Sequence, residues 1–119
     1  MADEPPRVGN ILYPVPDVAA AVAFYRDGLG LAVKFQDGSR YAALDGGGVT
    51  FAIAAAQESV AGPGPAASFK VTDLSAAVDR LTAAGATLVM PATDGPHEVR
   101  AALRDPAGNP FVIYAPRPQ

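Results

Sequence analysis

Cysteine and tryptophan are both missing from this 119-residue chain, and histidine occurs only once, at position 97. Without cysteine the chain cannot form disulfides, thiolate zinc sites, iron–sulfur clusters or a cysteine nucleophile. Lysine is scarce as well, since Lys34 and Lys70 are the only two. The net charge is −3 and the arginines are scattered. Because no basic stripe is present to neutralise phosphates, we predict that nucleic acid is not a partner.

Long apolar runs are also missing. No stretch approaches the roughly 20 residues that span a bilayer, so we predict no membrane partner. The first residues, MADEPPR, are acidic and proline-rich where a secretory signal would be basic and then apolar. What the chain has instead is an ordinary globular balance, with 50% hydrophobic and 18% charged residues. These features predict one cytoplasmic domain over residues 1–119.

The chain contains an internal repeat. Residues 15–22 have the sequence VPDVAAAV, and 56 positions later residues 71–78 have the sequence VTDLSAAV. In each copy an aspartate, Asp17 or Asp73, stands where a helix N-cap accepts free backbone N–H groups, and apolar residues follow at the helical period. Gly28 or Gly30 can end the first of these helices.

Each predicted helix is followed by three β-branched or aromatic segments that alternate with glycine turns, a pattern typical of strands. We therefore predict an α+β fold of two tandem βαβββ modules. Module one covers about residues 8–56, a Gly/Pro-rich connector covers 57–65, and module two covers about 66–115.

Two motifs, FYRDGLGL after the first predicted helix and DPAGN before the last predicted strand, accompany the VxD that opens each helix. In this combination the chain resembles the vicinal oxygen chelate superfamily, which includes glyoxalase I, bleomycin-resistance proteins, fosfomycin-resistance enzymes and extradiol dioxygenases. The resemblance covers residues 8–115. It implies a cupped, open-barrel sheet around a cleft and, as in many members, a homodimer. Whether the modules pair within one chain or between two is left open.

In the enzymes of that family, one residue from each of four strands holds a divalent metal in the cleft. Counted from the VxD and DPxGN aspartates, and completed by the repeat, the corresponding positions here are Asn10, Ala52, Ala66 and Val112. These side chains cannot supply the carboxylate and imidazole ligands that such ions need. The resemblance therefore implies a cleft that uses no metal, and we predict no other cofactor.

The same four positions define a predicted ligand-binding face, because alternate residues of a strand share a face. By this parity Phe51, Phe69 and Phe111 belong to the core between sheet and helices. Phe35 and Tyr41 either reach the cleft or pack under the helices. The predicted ligand-binding residues are Asn10, Leu12, Phe35, Tyr41, Ala52, Ala54, Ala66, Ser68, Arg100, Val112 and Tyr114.

The candidate catalytic residues are His97 and Glu98, at the end of a loop predicted over 91–98. They either form an acid–base pair beside the cleft or belong to a solvated surface loop. Whether this loop closes over the cleft is also open. In the DPAGN motif, proline and glycine favour a structural turn over a catalytic role for Asp105.

Three functions follow from these observations. The first is a metal-independent small-molecule-binding protein that sequesters a drug or metabolite, as the resemblance to bleomycin-resistance proteins implies. The acidic composition favours a cationic guest for such a cleft. The alternative is a metal-independent isomerase or lyase-type enzyme that uses His97 and Glu98, and the third is a dimeric interaction module without a guest. We predict binding rather than catalysis.

Overall fold

A computed structural model describes residues 5–59, 62–95 and 98–117 of the chain. Its elements are β1 (Arg7–Val15), α1 (Val18–Leu29), β2 (Val33–Asp37), β3 (Tyr41–Asp45), β4 (Thr50–Ala55), a short 3-10 helix (Ala56–Glu58), β5 (Ala66–Lys70), α2 (Leu74–Ala83), β6 (Thr87–Asp94), β7 (Glu98–Arg104) and β8 (Pro110–Pro116). The order strand, helix and three strands occurs twice, which confirms the predicted α+β fold of two βαβββ modules.

Each helix begins at the predicted aspartate. The Asp17 carboxylate accepts a hydrogen bond of 3.0 Å from the backbone N–H of Ala20, and Asp73 accepts the equivalent bond of 3.0 Å from Ala76. These bonds satisfy N–H groups that have no partner within the first turn. α1 ends at Gly30, which adopts the left-handed conformation with φ 76°. The local signals in the sequence therefore account for both helix starts and for the end of α1.

All eight strands form one sheet, in the order β2-β3-β4-β1-β5-β8-β7-β6. Within each module the first and last strands are parallel neighbours, and the remaining pairs are antiparallel. β1 and β5 pair antiparallel and join the two modules. The modules therefore pair within one chain, the point that the sequence left open.

Both helices cover the same face of this sheet. Val18 and Val22 of α1 pack on β3 and β4, and Leu74 and Ala77 of α2 pack on β7 and β8. The phenylalanines assigned to the core by parity lie in these two clusters: Phe51 under α1, and Phe69 and Phe111 under α2. No helix in the described residues is long and apolar enough to cross a bilayer.

We call the opposite side of the sheet the cleft face. None of the described helices covers it, yet Ala52 is 0% exposed, Ala66 and Val112 are each 4% exposed, and Ser68 is 5% exposed. Side chains as small as alanine are shielded without a covering layer when the strands around them curl over the face. The burial thus fits the cupped, open sheet.

Residues 91–94 belong to β6, so the prediction of a loop over 91–98 was wrong. Pro91, Thr93 and Asp94 are typical turn residues, which is why the sequence favoured a loop. β6 is the last strand of the sheet, and its register with β7 shifts on both sides of Met90. An edge strand tolerates proline where the N–H would point away from the neighbouring strand, because no ladder hydrogen bond is lost there. β6 ends at Asp94 and β7 begins at Glu98.

Candidate functional site

Cross-strand pairs arrange the side chains of the cleft face in rows that run across the sheet. Two central rows, which we call the floor rows, consist of Phe35, Ala43, Ala52, Leu12 and Ala66, and of Thr50, Asn10, Ser68, Val112 and Ala102. The four positions that the resemblance connects with a metal all lie in these rows. They are therefore neighbours in space, as the repeat predicted, although they come from four different strands.

The chemistry of the floor does not fit a divalent metal ion. The four positions hold one amide, in Asn10, and three hydrocarbon side chains. The hydroxyl of Ser68 lies beside Asn10 across the β1–β5 seam. No group of three or more His, Cys, Asp or Glu side chains that could hold a metal ion occurs among the described residues. A hydroxyl and an amide oxygen without carboxylate or imidazole ligands are a poor site for such ions.

Aromatic side chains from both modules border the floor. In module one, the rings of Phe35 and Tyr41 lie with their centroids 6.5 Å apart. In module two, Tyr114 extends from β8 across the seam to β1. A Cβ built on Gly9 would overlap the hydroxyl of Tyr114 and lie 2.7 Å from its Cζ atom. The ring of Tyr114 therefore occupies the space that any larger residue at position 9 would fill.

Burial and Glu98 raise the pKa of both tyrosines of the cleft, Tyr41 and Tyr114. Burial raises the pKa of Tyr41, and the Glu98 carboxylate and the neighbouring Tyr114 raise it further. Burial also raises the pKa of Tyr114, where Arg7 opposes the shift and Glu98 adds to it. Four strands separate β3 from β7 in the sheet, so the effect of Glu98 on Tyr41 requires the sheet to curl. Both phenols are protonated and can donate a hydrogen bond near neutral pH.

One end of the cleft face carries positive charge. Arg7, Lys70, Tyr114 and Arg100 are successive cross-strand neighbours, and we call them the cationic row. Within the described residues the three cations form no ion pair and no side-chain hydrogen bond. The Nε atom of Arg100 is buried and has no hydrogen-bond partner there.

Beside this row the face opens into a polar hollow of about 360 Å³, whose walls include Arg7, Gly9, Lys34, Thr50 and Tyr114. The Lys34 ammonium lies on the far side of the hollow and donates a hydrogen bond of 2.6 Å to the Thr50 hydroxyl. At the other end of the face the three neighbours Tyr41, Ala54 and Pro14 carry no charge, and we call them the uncharged row. The next neighbour, on the edge strand β2, is Asp37, which pairs with Tyr41 and forms an ion pair with Arg40. The two ends of the cleft thus differ sharply in polarity.

The fold agrees with that of known proteins. The family model described as Glyoxalase/Bleomycin resistance protein/Dioxygenase superfamily matches residues 7–113. The chain belongs to this superfamily. An uncharacterized protein of Mycolicibacterium smegmatis is 36% identical over 110 residues, which cover 92% of this chain and 94% of that protein.

Two solved structures are similar to this superfamily member. NAD-dependent benzaldehyde dehydrogenase from Legionella pneumophila has a TM-score of 0.80 at 16% identity, over 95% of this chain and 100% of that chain. Methylmalonyl-CoA epimerase from Mycobacterium tuberculosis has a TM-score of 0.68 at 23% identity, over 93% of this chain and 88% of that chain. At such identities the likeness shows a shared fold and nothing about the reaction.

Every predicted ligand-binding residue of this superfamily member lies on the cleft face. Phe35 and Tyr41, whose side was left open, face the cleft. Glu98 lies on the same side, two residues before Arg100, whereas His97 lies outside the described residues. The roles of these residues in binding or catalysis stay predictions.

Sequence analysis missed three cations of the cleft: Arg7, Lys34 and Lys70. The position of Lys70 on the cleft face could have been predicted, because Lys70 follows Ser68 at the strand period of two. Arg7 and Lys34 were not, because a register shift separates each of them from the nearest predicted cleft residue, Asn10 and Phe35 respectively.

A larger hollow, of about 650 Å³, opens on the helix side between α2 and strands β5 and β8. Its walls are mostly hydrocarbon, including Phe69 and Phe111, whose rings meet edge to face. Asp105 and Asn109 on its border are hydrogen-bonded to each other. Ligand sites combine an apolar surface with a few converging polar groups. The cleft face meets that description better, and we take it as the candidate site.

Proposed function

We propose that this protein is a metal-independent small-molecule-binding protein that holds a guest on the cleft face and sequesters it without making or breaking a bond. One observation carries the proposal. The positions that correspond to metal ligands in the resembled enzymes hold Asn10, Ala52, Ala66 and Val112. Three of these four side chains are small and apolar, where a metal enzyme would have polar ligands. A drug or a metabolite with a flat apolar part suits such a floor.

Affinity in this mechanism comes from burial. Each Å² of apolar surface removed from water contributes about 25 cal/mol. The rings of Tyr41 and Tyr114, one from each module, border the floor and can contact an aromatic guest at its edges or faces. The amide of Asn10 and the hydroxyl of Ser68 then orient the guest by hydrogen bonds. The mechanism requires no metal and no other cofactor.

Native mass spectrometry of the purified protein near neutral pH, with and without a chelator, tests this proposal. We expect protein without stoichiometric metal, and an organic passenger whose mass identifies its class. A stoichiometric divalent metal that the chelator removes would contradict the proposal. The same spectrum tests our further proposal that the protein is a homodimer, because it gives the number of subunits. We also propose that the protein acts in the cytoplasm.

The position of Glu98 favours a second candidate, a metal-independent isomerase or lyase-type enzyme. Its carboxylate influences both Tyr41 and Tyr114, which are protonated phenols. A carboxylate that takes a proton and a phenol that supplies one form an acid–base pair. His97 is a further candidate acid or base by its place in the sequence.

Hydrogen exchange in deuterated buffer distinguishes the two candidates. An enzyme that removes a C–H proton incorporates deuterium into the organic passenger, and the NMR spectrum of the passenger reports this. Under the second candidate, Glu98→Gln or His97→Ala abolishes the exchange while the passenger still binds. A passenger that binds and shows no exchange with the unaltered protein supports sequestration.

A further inference from the structure

The duplication makes two rows of the cleft face equivalent, and only one of them carries cations. Aligned by the repeat, Pro14, Ala54 and Tyr41 of module one correspond to Lys70, Tyr114 and Arg100 of module two. The first three residues make the uncharged row, and the other three make the cationic row together with Arg7. Because the same place in the fold accepts proline and alanine, the fold itself does not require cations there.

The cationic row is unfavourable for the protein alone. Arg7 lies directly opposite Lys70, and like charges at opposed positions destabilise a sheet. The buried Nε of Arg100 lost its water on folding and gained no acceptor among the described residues. Asp45 and Glu98 border this end of the face, yet neither forms an ion pair with the row. An arrangement that costs stability in the free protein is explained when a bound group of opposite charge relieves it.

We infer that the guest of the cleft carries an oxyanion group, a carboxylate or a phosphate, that binds at the cationic row. The inference rests on the proposed function and names the chemical class of its ligand. Guanidinium and ammonium groups form charge-assisted hydrogen bonds to oxyanions, and the Tyr114 hydroxyl lies between them as a neutral donor. The apolar body of the guest lies on the floor rows and points towards Phe35 and the uncharged row.

This inference reverses the expectation of a cationic guest, which came from the net charge of −3. The overall charge does not determine the sign of the potential within a cleft. Four of the nine lysines and arginines, namely Arg7, Lys34, Lys70 and Arg100, line one end of a single face. Among the described acidic residues, Asp45 and Glu98 border this end, whereas the helices, their N-caps and the turn before β8 carry Asp17, Asp27, Asp73, Asp79 and Asp105.

Fluorescence titration with two dyes tests the inference. Anilinonaphthalene sulfonate (ANS) is an apolar oxyanion, and Prodan is an uncharged naphthalene, and both brighten in apolar surroundings. We expect the protein to bind ANS at least about tenfold more tightly than Prodan, with a preference that shrinks as salt screens the charges. Phenylacetate and phenyl phosphate should displace ANS and show which oxyanion is preferred. Phenethylamine, their cationic counterpart, should not displace it.

Two variants connect this preference to the row. Lys70→Gln and Arg100→Gln should each weaken ANS binding by about tenfold, the loss expected for one charge-assisted hydrogen bond, and leave Prodan binding unchanged. Lys70→Gln should also raise Tm, because it removes the like charge opposite Arg7. A variant that becomes more stable and binds the anion less well has lost a binding group, not a structural one. Arg100→Lys keeps the charge and should retain most of the ANS affinity.

Arg26→Gln is the matched control, since Arg26 lies on the exposed side of α1 and pairs with Asp27. If it weakens ANS binding as much as the row variants do, the effect is one of total charge and the inference fails. If Prodan binds and ANS binds no more tightly, the inference also fails while the apolar cleft stands. If neither dye binds the folded protein, the proposed function fails with it.

Discussion

Gly9 determines the shape of the cationic end of the cleft in two ways. It lies at the register shift of β1, which turns Arg7 onto the cleft face opposite Lys70. It also leaves room for Tyr114, whose hydroxyl occupies the place of a side chain at position 9. A single residue without a Cβ thus allows both a cation and a phenol to face the cleft.

Replacing Gly9 with alanine should destabilise the protein by about 1–3 kcal/mol, because the new methyl group overlaps Tyr114 and the packing must shift. Urea unfolding measures this loss. Gly28→Ala is the control: nothing lies near its Cβ position within α1, so this change should stabilise by about 0.5–1 kcal/mol.

The Tyr114→Ala background isolates the cause. If the overlap with the ring is responsible, Gly9→Ala should cost much less there than in the unaltered protein. An equal cost in both backgrounds would show that the register shift itself requires glycine.

The residues missed by sequence analysis show where alternation along a strand stops being informative. Counting back by twos from Asn10 puts Val8 in the cleft and Arg7 under the helices. The register shift between Val8 and Asn10 reverses both assignments, so Val8 pairs with Phe69 on the helix side. Lys34 lies at the shift in β2 for the same reason. Such shifts depend on pairing with a distant strand, which local sequence does not reveal.

The two helices are elements whose starts depend on local sequence alone. Asp17 and Asp73 each hold one N–H group of the first turn at 3.0 Å, with the same extended backbone. Because this bond involves residues only three apart, the sequence was sufficient to predict it. The order of the strands in the sheet was not predicted, because it depends on pairing between residues that are far apart in the chain; the family resemblance implied only the cupped, open sheet.

Asp17→Ala and Asp73→Ala should each lower the free energy of unfolding by about 1 kcal/mol, the usual loss for an N-cap. Thermal or urea unfolding measures both. Asp79→Ala, also in α2 but outside its cap, removes the same charge and should change stability by less than about 0.5 kcal/mol. The double variant should lose the sum of the two, as the caps share no partners. If Asp79→Ala and Asp73→Ala lower the free energy of unfolding equally, the effect comes from the lost charge and not from the lost cap.

The turn before β8 is held by its own aspartate. The carboxylate of Asp105 accepts hydrogen bonds from the backbone N–H groups of Ala107 and Asn109 and from the Asn109 side chain. The Asn109 side chain contributes most to the lowered pKa of Asp105, and backbone N–H groups of the turn add to it. These contacts agree with the structural turn predicted for DPAGN.

The lowered pKa has a consequence for acid stability. The contribution of Asp105 should be complete above the pKa of an unfolded aspartate, about 4, and be lost as the pH falls through its folded value. Asp105→Ala should therefore be less stable than the unaltered protein at neutral pH, and the gap should close on acidification. Melting curves at several pH values measure this. A gap that stays constant down to acidic pH would contradict it.

At the scale of the whole molecule, Tyr41 of module one and Tyr114 of module two interact electrostatically. Both pKa values are raised in the folded protein, mainly by burial. Raised pKa values stabilise the fold below the pKa of an unfolded tyrosine, about 10, and this contribution is lost as the pH rises through the folded values. The cleft should therefore limit the stability of the protein in alkaline solution.

Tyr41→Phe and Tyr114→Phe should each reduce the loss of stability on raising the pH from about 9 to about 11, since phenylalanine has no proton to release. Urea unfolding across this range tests the expectation, and ultraviolet absorbance of the phenolate follows the titration directly. If the stability of the variants falls as steeply as that of the unaltered protein, other groups cause the alkaline loss.

The internal repeat predicted much about the fold, whereas bulk composition predicted a guest of the opposite charge to the one that we infer. The repeat, through Asp17 and Asp73, predicted two similar modules, and the family resemblance implied the cleft between them. Parity then put Ala52 and Val112 on one face. The net charge suggested a cationic guest, because composition sums over all positions. The difference between the uncharged and cationic rows appears only when strands distant in sequence are paired.

A sheet that stays open around a cleft keeps two free edges, β2 and β6. An unpaired strand edge attracts strands of other molecules and can start aggregation. Both edges here are interrupted, β2 by the shift at Lys34 and β6 by two shifts around Pro91. Such irregularities, together with lysine and proline, make an edge a poor template. The irregularity that places Lys34 beside the cleft therefore also makes the edge strand β2 less prone to edge-to-edge aggregation.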